Sequence, residues 1–116
     1  MTTRSHLQPS TSTATATFDR AGRHLTVYLS GELDAASAPG ITQAIFDHLQ
    51  PDDQQVALDA SELTFCDSSG LVLLFKLHQQ ATDAGAYTAV FNPTPPVRRI
   101  IEMCDPSGIL NIRTDT

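Results

Sequence analysis

The apolar side chains between Ala14 and Ile112 recur with two periods that alternate along the chain, and few architectures accommodate that alternation. Ala14, Ala16 and Phe18 alternate with Thr15 and Thr17, and Leu25, Val27 and Leu29 alternate with Thr26, Tyr28 and Ser30. A period of two marks half-buried strands, and Asp19-Arg20-Ala21-Gly22 between them predicts the turn of a β-hairpin. Gly31-Glu32-Leu33-Asp34 then reads as a connection. Ile41, Ala44, Ile45, His48 and Leu49 fall on one face of a helix, with Ser37 as candidate N-cap, Pro39 in the first turn and Pro51 as the stop. Val56-Ala57-Leu58 is a short continuous apolar run, the pattern of a strand buried on both faces. Residues 60–69 read as a loop ending in Asp67-Ser68-Ser69-Gly70. A second helix opens at Leu71 and runs to about Thr82, apolar on most sides. Tyr87–Phe91 is the next strand. Thr94 is a candidate N-cap for a third helix carrying Val97, Ile100, Ile101 and Cys104 on one face, and Ile109–Ile112 a last short strand.

Two strands followed by strictly alternating helices and strands predict an α/β fold. The sheet is mixed and mainly parallel, of about five strands, with an antiparallel N-terminal edge strand, right-handed crossovers and three or four helices. The chain has 116 residues and is 41% apolar, enough for one core. Residues 14–116 are expected to form that domain. Residues 1–13, rich in Ser and Thr, are expected to be a flexible tail, since they bury too little to offset the entropy of ordering.

Seven Lys and Arg against 13 Asp and Glu leave a net charge of −6. That argues against nucleic acid or an anionic membrane as direct partner, because both need a basic footprint. The longest apolar run, Leu71–Phe75, falls far short of the roughly 20 residues of a membrane helix. No secretory signal is visible, and Cys66 and Cys104 form no CxxC pair, so a reduced, cytoplasmic setting is expected.

The segment with chemical potential is Asp67-Ser68-Ser69-Gly70, where a loop meets a helix N-terminus that offers free N–H groups and a partial positive charge. One reading is a capping turn, with Ser69 as N-cap, Asp67 complementing the dipole and Gly70 allowing close packing. The other adds that one serine is exposed and modified, since a phosphate would bring about −1.5 to −2 charges to a place that tolerates them. No G-x-S-x-G elbow, P-loop, GxGxxG or metal-ligand spacing is present, and the four histidines suggest no triad, so no catalytic residue, metal or cofactor of the chain's own is expected. Cys66 reads as a small packed side chain rather than a redox site. Glu32 and Asp34 could meet a basic partner or sit in a solvated loop.

Taken together, Leu29-Ser-Gly-Glu-Leu-Asp34, Val56-Ala-Leu-Asp59, Leu63-Thr-Phe-Cys-Asp-Ser-Ser-Gly-Leu71 and Val97-Arg-Arg-Ile-Ile-Glu102 resemble the STAS domain (sulfate transporter and anti-sigma factor antagonist), and most closely its small single-domain bacterial anti-sigma factor antagonists. The likeness spans about residues 14–112. It implies a right-handed β-α superhelix and a partner-switching role in transcription regulation. In that role the unphosphorylated protein binds an anti-sigma factor, which is a serine kinase with its own ATP and magnesium, and so releases a sigma factor. Ser68 would be the phosphoacceptor, flanked by Asp67, Ser69 and Gly70, and a serine phosphatase would reset it. The docking surface would include Glu32, Leu33 and Asp34 and the helix beginning at Leu71. The chain would be a monomer, with a dimer as the alternative. Two other roles for the same fold are a subunit of a membrane lipid or solute transport complex without a phosphorylation cycle, and a small-molecule sensor binding at strand C-termini.

Overall fold

The computed structural model describes residues 13–114. Strands β1 (Thr15–Ala21) and β2 (His24–Leu33) form the expected hairpin, pairing antiparallel from Thr15↔Ser30 to Ala21↔His24. The turn is tighter than Asp19–Gly22 suggests. β1 runs on to Ala21, and only Gly22 and Arg23 lie outside the ladder, with Gly22 at φ +64°, the left-handed conformation two-residue hairpin loops require. Of the tail expected over residues 1–13, residues 1–12 lie outside the described residues. Thr13 makes a bridge to Glu32, and the Ala14 N–H donates to the Glu32 carbonyl at 3.1 Å.

Helix α1 (Ala38–His48) leads to β3 (Gln55–Cys66), α2 (Ser68–Asp83) to β4 (Tyr87–Phe91), and α3 (Pro95–Cys104) to β5 (Ile112–Arg113). The sheet order is β1-β2-β3-β4-β5, parallel from β2 onward. This is the mixed, mainly parallel sheet with one antiparallel edge that the alternation predicts. Leu25, Val27 and Leu29 of β2, Val56 and Leu58 of β3 and Val90 of β4 join Ile41 and Ile45 of α1, Leu74 and Leu77 of α2, and Val97 and Ile101 of α3 in one buried cluster. Ala57 and Ala89 point to the opposite face of the sheet and take no part in it.

Four expectations fail for local reasons. Residues 60–66 are not a loop but the second half of β3, and Gly31–Leu33 are strand rather than connection. The β2–β3 ladder slips between Tyr28 and Ser30, where three residues of β3 face two of β2, and again between Gly31 and Glu32. Bulges of this kind break the period of two, so the buried residues of this half, Ala60, Leu63 and Cys66, fall three apart. Helix α2 begins three residues before Leu71, because Asp67 caps it. The last strand starts at Ile112 rather than Ile109, because the buried Asp105 carboxylate accepts the N–H groups of Ile109 (2.9 Å) and Leu110 (2.8 Å) and holds them in a turn.

The far end of the domain is pinned by an ion pair. Arg20 Nη1 lies 2.6 Å from Asp53 Oδ1, and its Nη2 donates to Asp53 Oδ2 (3.2 Å) and to the His48 carbonyl (2.7 Å). The Asp53 side chain is 2% exposed, and its Oδ2 also accepts the Gln50 N–H. The Arg20 hydrogen bond holds the Asp53 carboxyl below the ordinary carboxylate range, against the opposing effect of burial. Replacing Arg20 with Met strands that carboxylate, so urea unfolding at pH 7 should show a loss of about 3 kcal/mol. The folded pKa of Asp53 lies below the unfolded value of about 3.9, so the pair's contribution is complete above that value and is lost as pH falls through the folded one. Wild-type stability should therefore drop below about pH 4. Arg20→Met, with burial now dominant at Asp53, should gain stability relative to wild type over the same descent.

Candidate functional site

β3 delivers the chain to the start of α2 through Asp67, the N-cap, whose backbone is extended at φ −98° and ψ −171°. Asp67 Oδ1 accepts the N–H groups of Ser69 (2.9 Å) and Gly70 (3.1 Å), two of the donors a helix start leaves without partners. Asp67 thus holds the capping role expected of Ser69, which already lies inside the helix and is half-buried. Ser68 is the first helical residue. It is exposed, and among the described residues its hydroxyl has no hydrogen-bond partner.

The site is held against the end of β2 by a contact only glycine permits. A Cβ on Gly70 would stand 2.8 Å from the Leu33 carbonyl oxygen, 2.8 Å from Cys66 Sγ and 2.9 Å from Leu33 Cγ. The Leu33 carbonyl also accepts the Asp67 N–H at 3.2 Å. One residue of the Gly31–Asp34 segment therefore sets both the cap and the first turn of α2.

The rest of that segment is equally committed. Asp34 Oδ1 accepts the N–H groups of Ala36 (3.1 Å) and Ser37 (3.0 Å). The Ser37 hydroxyl lies 3.1 Å from both Asp34 Oδ1 and the Glu32 carbonyl, and accepts the Asp34 N–H. The Ser37 backbone bond, then its hydroxyl, hold the Asp34 carboxyl below its ordinary range. Ser37 is the N-cap of α1 by position, but its hydroxyl serves this turn and makes no capping bond to the helix. Glu32 is half-buried beside Phe65 in the ladder.

Two of the residues expected on a docking surface are core residues. The side chains of Leu33 and Leu71 are 0% and 4% exposed, because Leu33 packs on Gly70 and Leu71 faces the sheet. The exposed apolar residues nearby are Val72 (52%) and Phe65 (46%). Val72 lies on the edge of a groove of about 510 Å³ between α1 and α2, shared with Ala35, Pro39, Thr42, Ser69 and Lys76. The apolar run Leu71–Phe75 masks Val72 in the sequence. Its one signal is its position, a single residue from Leu71 and hence about 100° around the helix from it.

Cys66, immediately before the cap, packs as a small apolar side chain. Burial, reinforced by the Asp67 charge, pushes its thiol up to about 11. Among the described residues no group of three or more His, Cys, Asp or Glu side chains is placed to hold a metal ion, and no helix is long and apolar enough to cross a membrane.

The chain as a whole has relatives. A family model described as the STAS domain matches residues 15–116. The chain belongs to the STAS domain family. The anti-sigma F factor antagonist of Paenibacillus polymyxa is 32% identical to it over 89 residues, covering 76% of this chain and 74% of the relative. Among solved structures, the anti-sigma factor antagonist SpoIIAA in its unphosphorylated form shares the fold with a TM-score of 0.68 at 24% identity, over 88% of this chain and 89% of that one. The phosphorylated form of SpoIIAA from Bacillus aligns with a TM-score of 0.65 at 21% identity, over 88% and 92% of the two chains.

Two expectations follow for this STAS domain. Gly70→Ala should cost about 1–3 kcal/mol in urea unfolding, since the Leu33 carbonyl is backbone and yields little. The same substitution should move the amide resonances of Ser68 and Ser69. With a thiol at about 11, Cys66 holds only about one part in ten thousand as thiolate at pH 7. A thiol reagent on the native protein should therefore modify the exposed Cys104 promptly and Cys66 only after unfolding.

Proposed function

We propose that this chain is an anti-sigma factor antagonist of the partner-switching kind, turned off by phosphorylation of Ser68. The observation that carries the reading is the division of labour at the start of α2. Asp67 caps the helix, Gly70 seats it, and Ser68 between them is exposed with a hydroxyl committed to nothing else among the described residues. A phosphate on Ser68 breaks no hydrogen bond of the fold, and its charge meets the positive end of the helix dipole. The fold survives modification and the surface changes.

In this reading the unphosphorylated protein docks an anti-sigma factor through the start of α2 and the α1–α2 groove. Val72, Ala35 and Pro39 supply the apolar contact there. The anti-sigma factor, itself a serine kinase holding ATP and magnesium, loses its grip on a sigma factor while so bound. Transfer of the γ-phosphoryl group to Ser68 Oγ takes the net charge from −6 to about −7.5 to −8. The added charge sits beside Asp67 on a surface that must be desolvated for docking, so the complex separates by like-charge repulsion and by the cost of burying a dianion. A serine phosphatase restores the binding form. The chain supplies a substrate serine and a docking surface and catalyses no step itself, acting in the cytoplasm without touching nucleic acid.

The test is a kinase assay with the cognate anti-sigma factor, ATP and magnesium, with the modified residue mapped by mass spectrometry. Phosphate is expected on Ser68, and its appearance on Ser69 instead would overturn the assignment. Ser68→Ala should bind the kinase at wild-type strength and accept no phosphate. Ser68→Asp, carrying one charge of the two, should weaken binding roughly tenfold.

A further inference from the structure

Among the described residues, one face of the sheet carries no helix. Parallel sheets usually carry helices on both faces, yet the three helices among the described residues share one core with a single face of the sheet. Successive cross-strand rows on that face are Thr26, Ala57 and Ala89, then Tyr28, Asp59 and Phe91. The small residues make a floor. In the second row Tyr28 and Phe91 flank Asp59, one strand to either side, so their Cα atoms stand roughly 10 Å apart. Thr26, Tyr28, Ala57, Asp59, Phe91 and Asn92 line a slot of about 220 Å³ that lies midway along β2, in the first half of β3 and at the end of β4. Tyr28 is 44% exposed, so its ring lies open to solvent.

Two aromatic rings and a carboxylate lining one slot select for positive charge. The negative face of an aromatic ring attracts a cation, and Asp59 supplies the counter-charge. Its Oδ1 is engaged by the Ser61 N–H (2.9 Å) and hydroxyl (2.6 Å), which orient the group and leave Oδ2 available. The slot is smaller than the roughly 300–1,000 Å³ of small-molecule sites, so it fits one side chain better than a free ligand. Beyond its rim the same face carries Asp19, which pairs with Thr26, and Glu62, which pairs with Ser30, a surround that also favours a basic partner. Arg113, registered beside Phe91, does not line the slot. It donates to the Tyr87 hydroxyl at 3.0 Å, which keeps the chain's own guanidinium out of it.

We propose that the helix-free sheet face is a second interaction surface of this protein, on which Tyr28, Phe91 and Asp59 receive an arginine side chain of a protein partner. Arginine suits the slot better than lysine, because its flat guanidinium stacks on a ring while its edge donates to a carboxylate. This proposal is independent of the role assigned to Ser68.

The experiment is an NMR titration of the isotope-labelled full chain with a short arginine peptide capped at both ends, and with its citrulline analogue, which keeps the shape and loses the charge. Saturable shifts are expected at Tyr28, Asp59 and Phe91 with the arginine peptide, and affinity roughly fivefold weaker with citrulline. Asp59→Asn keeps the acceptor for Ser61 and should weaken the arginine peptide by a similar factor with an unchanged melting temperature. Tyr28→Ala should weaken it roughly two- to fivefold. Equal binding of the two peptides, no effect of Asp59→Asn, or shifts scattered over the whole acidic surface would each overturn the proposal, as would no saturable shift at the solubility limit of the peptide. If Asp59→Asn melts lower than wild type, the comparison of arginine with citrulline on the wild-type chain decides.

Discussion

The contact between Gly70 and Leu33 organises one whole end of this molecule. The Leu33 carbonyl lies where a Cβ on residue 70 would collide with it, and it also accepts the Asp67 N–H. The neighbouring Glu32 carbonyl accepts the Ala14 N–H and faces the Ser37 hydroxyl. Three elements, β1, α1 and α2, therefore take their starting positions from two consecutive carbonyls at the end of β2. Interiors are close-packed and transmit displacement, so the exposed Ser68 inherits its position from backbone atoms rather than from its own contacts. A modified residue that makes none of the contacts holding it in place can change its charge without changing its location.

The same geometry explains how acidity and a phosphate coexist. Asp67 spends one carboxylate oxygen on two helix N–H groups, which answers part of the positive end of α2. Lys76, on the α1–α2 groove, sits two turns into the helix rather than beside Ser68. Arginine clusters beside a phosphoserine commonly fold it inward as a new internal contact. Here the neighbouring side chains are Asp67 and Ser69, so a phosphate placed on Ser68 would be left facing outward. The consequence of modification falls on whatever approaches the surface.

How much of this was legible in the sequence depends on where the backbone keeps a regular period. The hairpin, the buried Val56–Leu58 run, α1 and β4 follow from the alternation of periods, because each is regular throughout. The second half of β3 was not legible, because two bulges against β2 replace the period of two with Ala60, Leu63 and Cys66. The same bulges hid that Gly31–Leu33 continue the strand. Asp-Ser-Ser-Gly announced a helix start, but three adjacent residues there are good caps, and only the extended backbone of Asp67 chose among them. Family likeness points to Leu33 and Leu71 as docking residues, but it reports a neighbourhood rather than the direction of a side chain. The slot on the far face had no sequence signature, because Tyr28, Asp59 and Phe91 lie about 30 residues apart and meet only through register.

The two surfaces draw on different layers of the fold, and this limits how they can communicate. Charge added at Ser68 is screened within about 8 Å at physiological ionic strength, and the buried helical core lies between α2 and the bare face of the sheet. Electrostatic coupling between the two surfaces is therefore weak. Strand β2 is the shared element, since it carries Tyr28 toward the slot and Leu33 against Gly70. Both register slips in its ladder with β3 fall between those residues, one at Tyr28/Ser30 and one at Gly31/Glu32, with the extra residue on β3 each time. The bulged and bent strand is therefore β3, so the two surfaces sit on either side of an irregular stretch of the β2–β3 ladder. The irregularity that conceals the strand in the sequence separates the end that phosphorylation of Ser68 would modify from the sheet face proposed as a second surface.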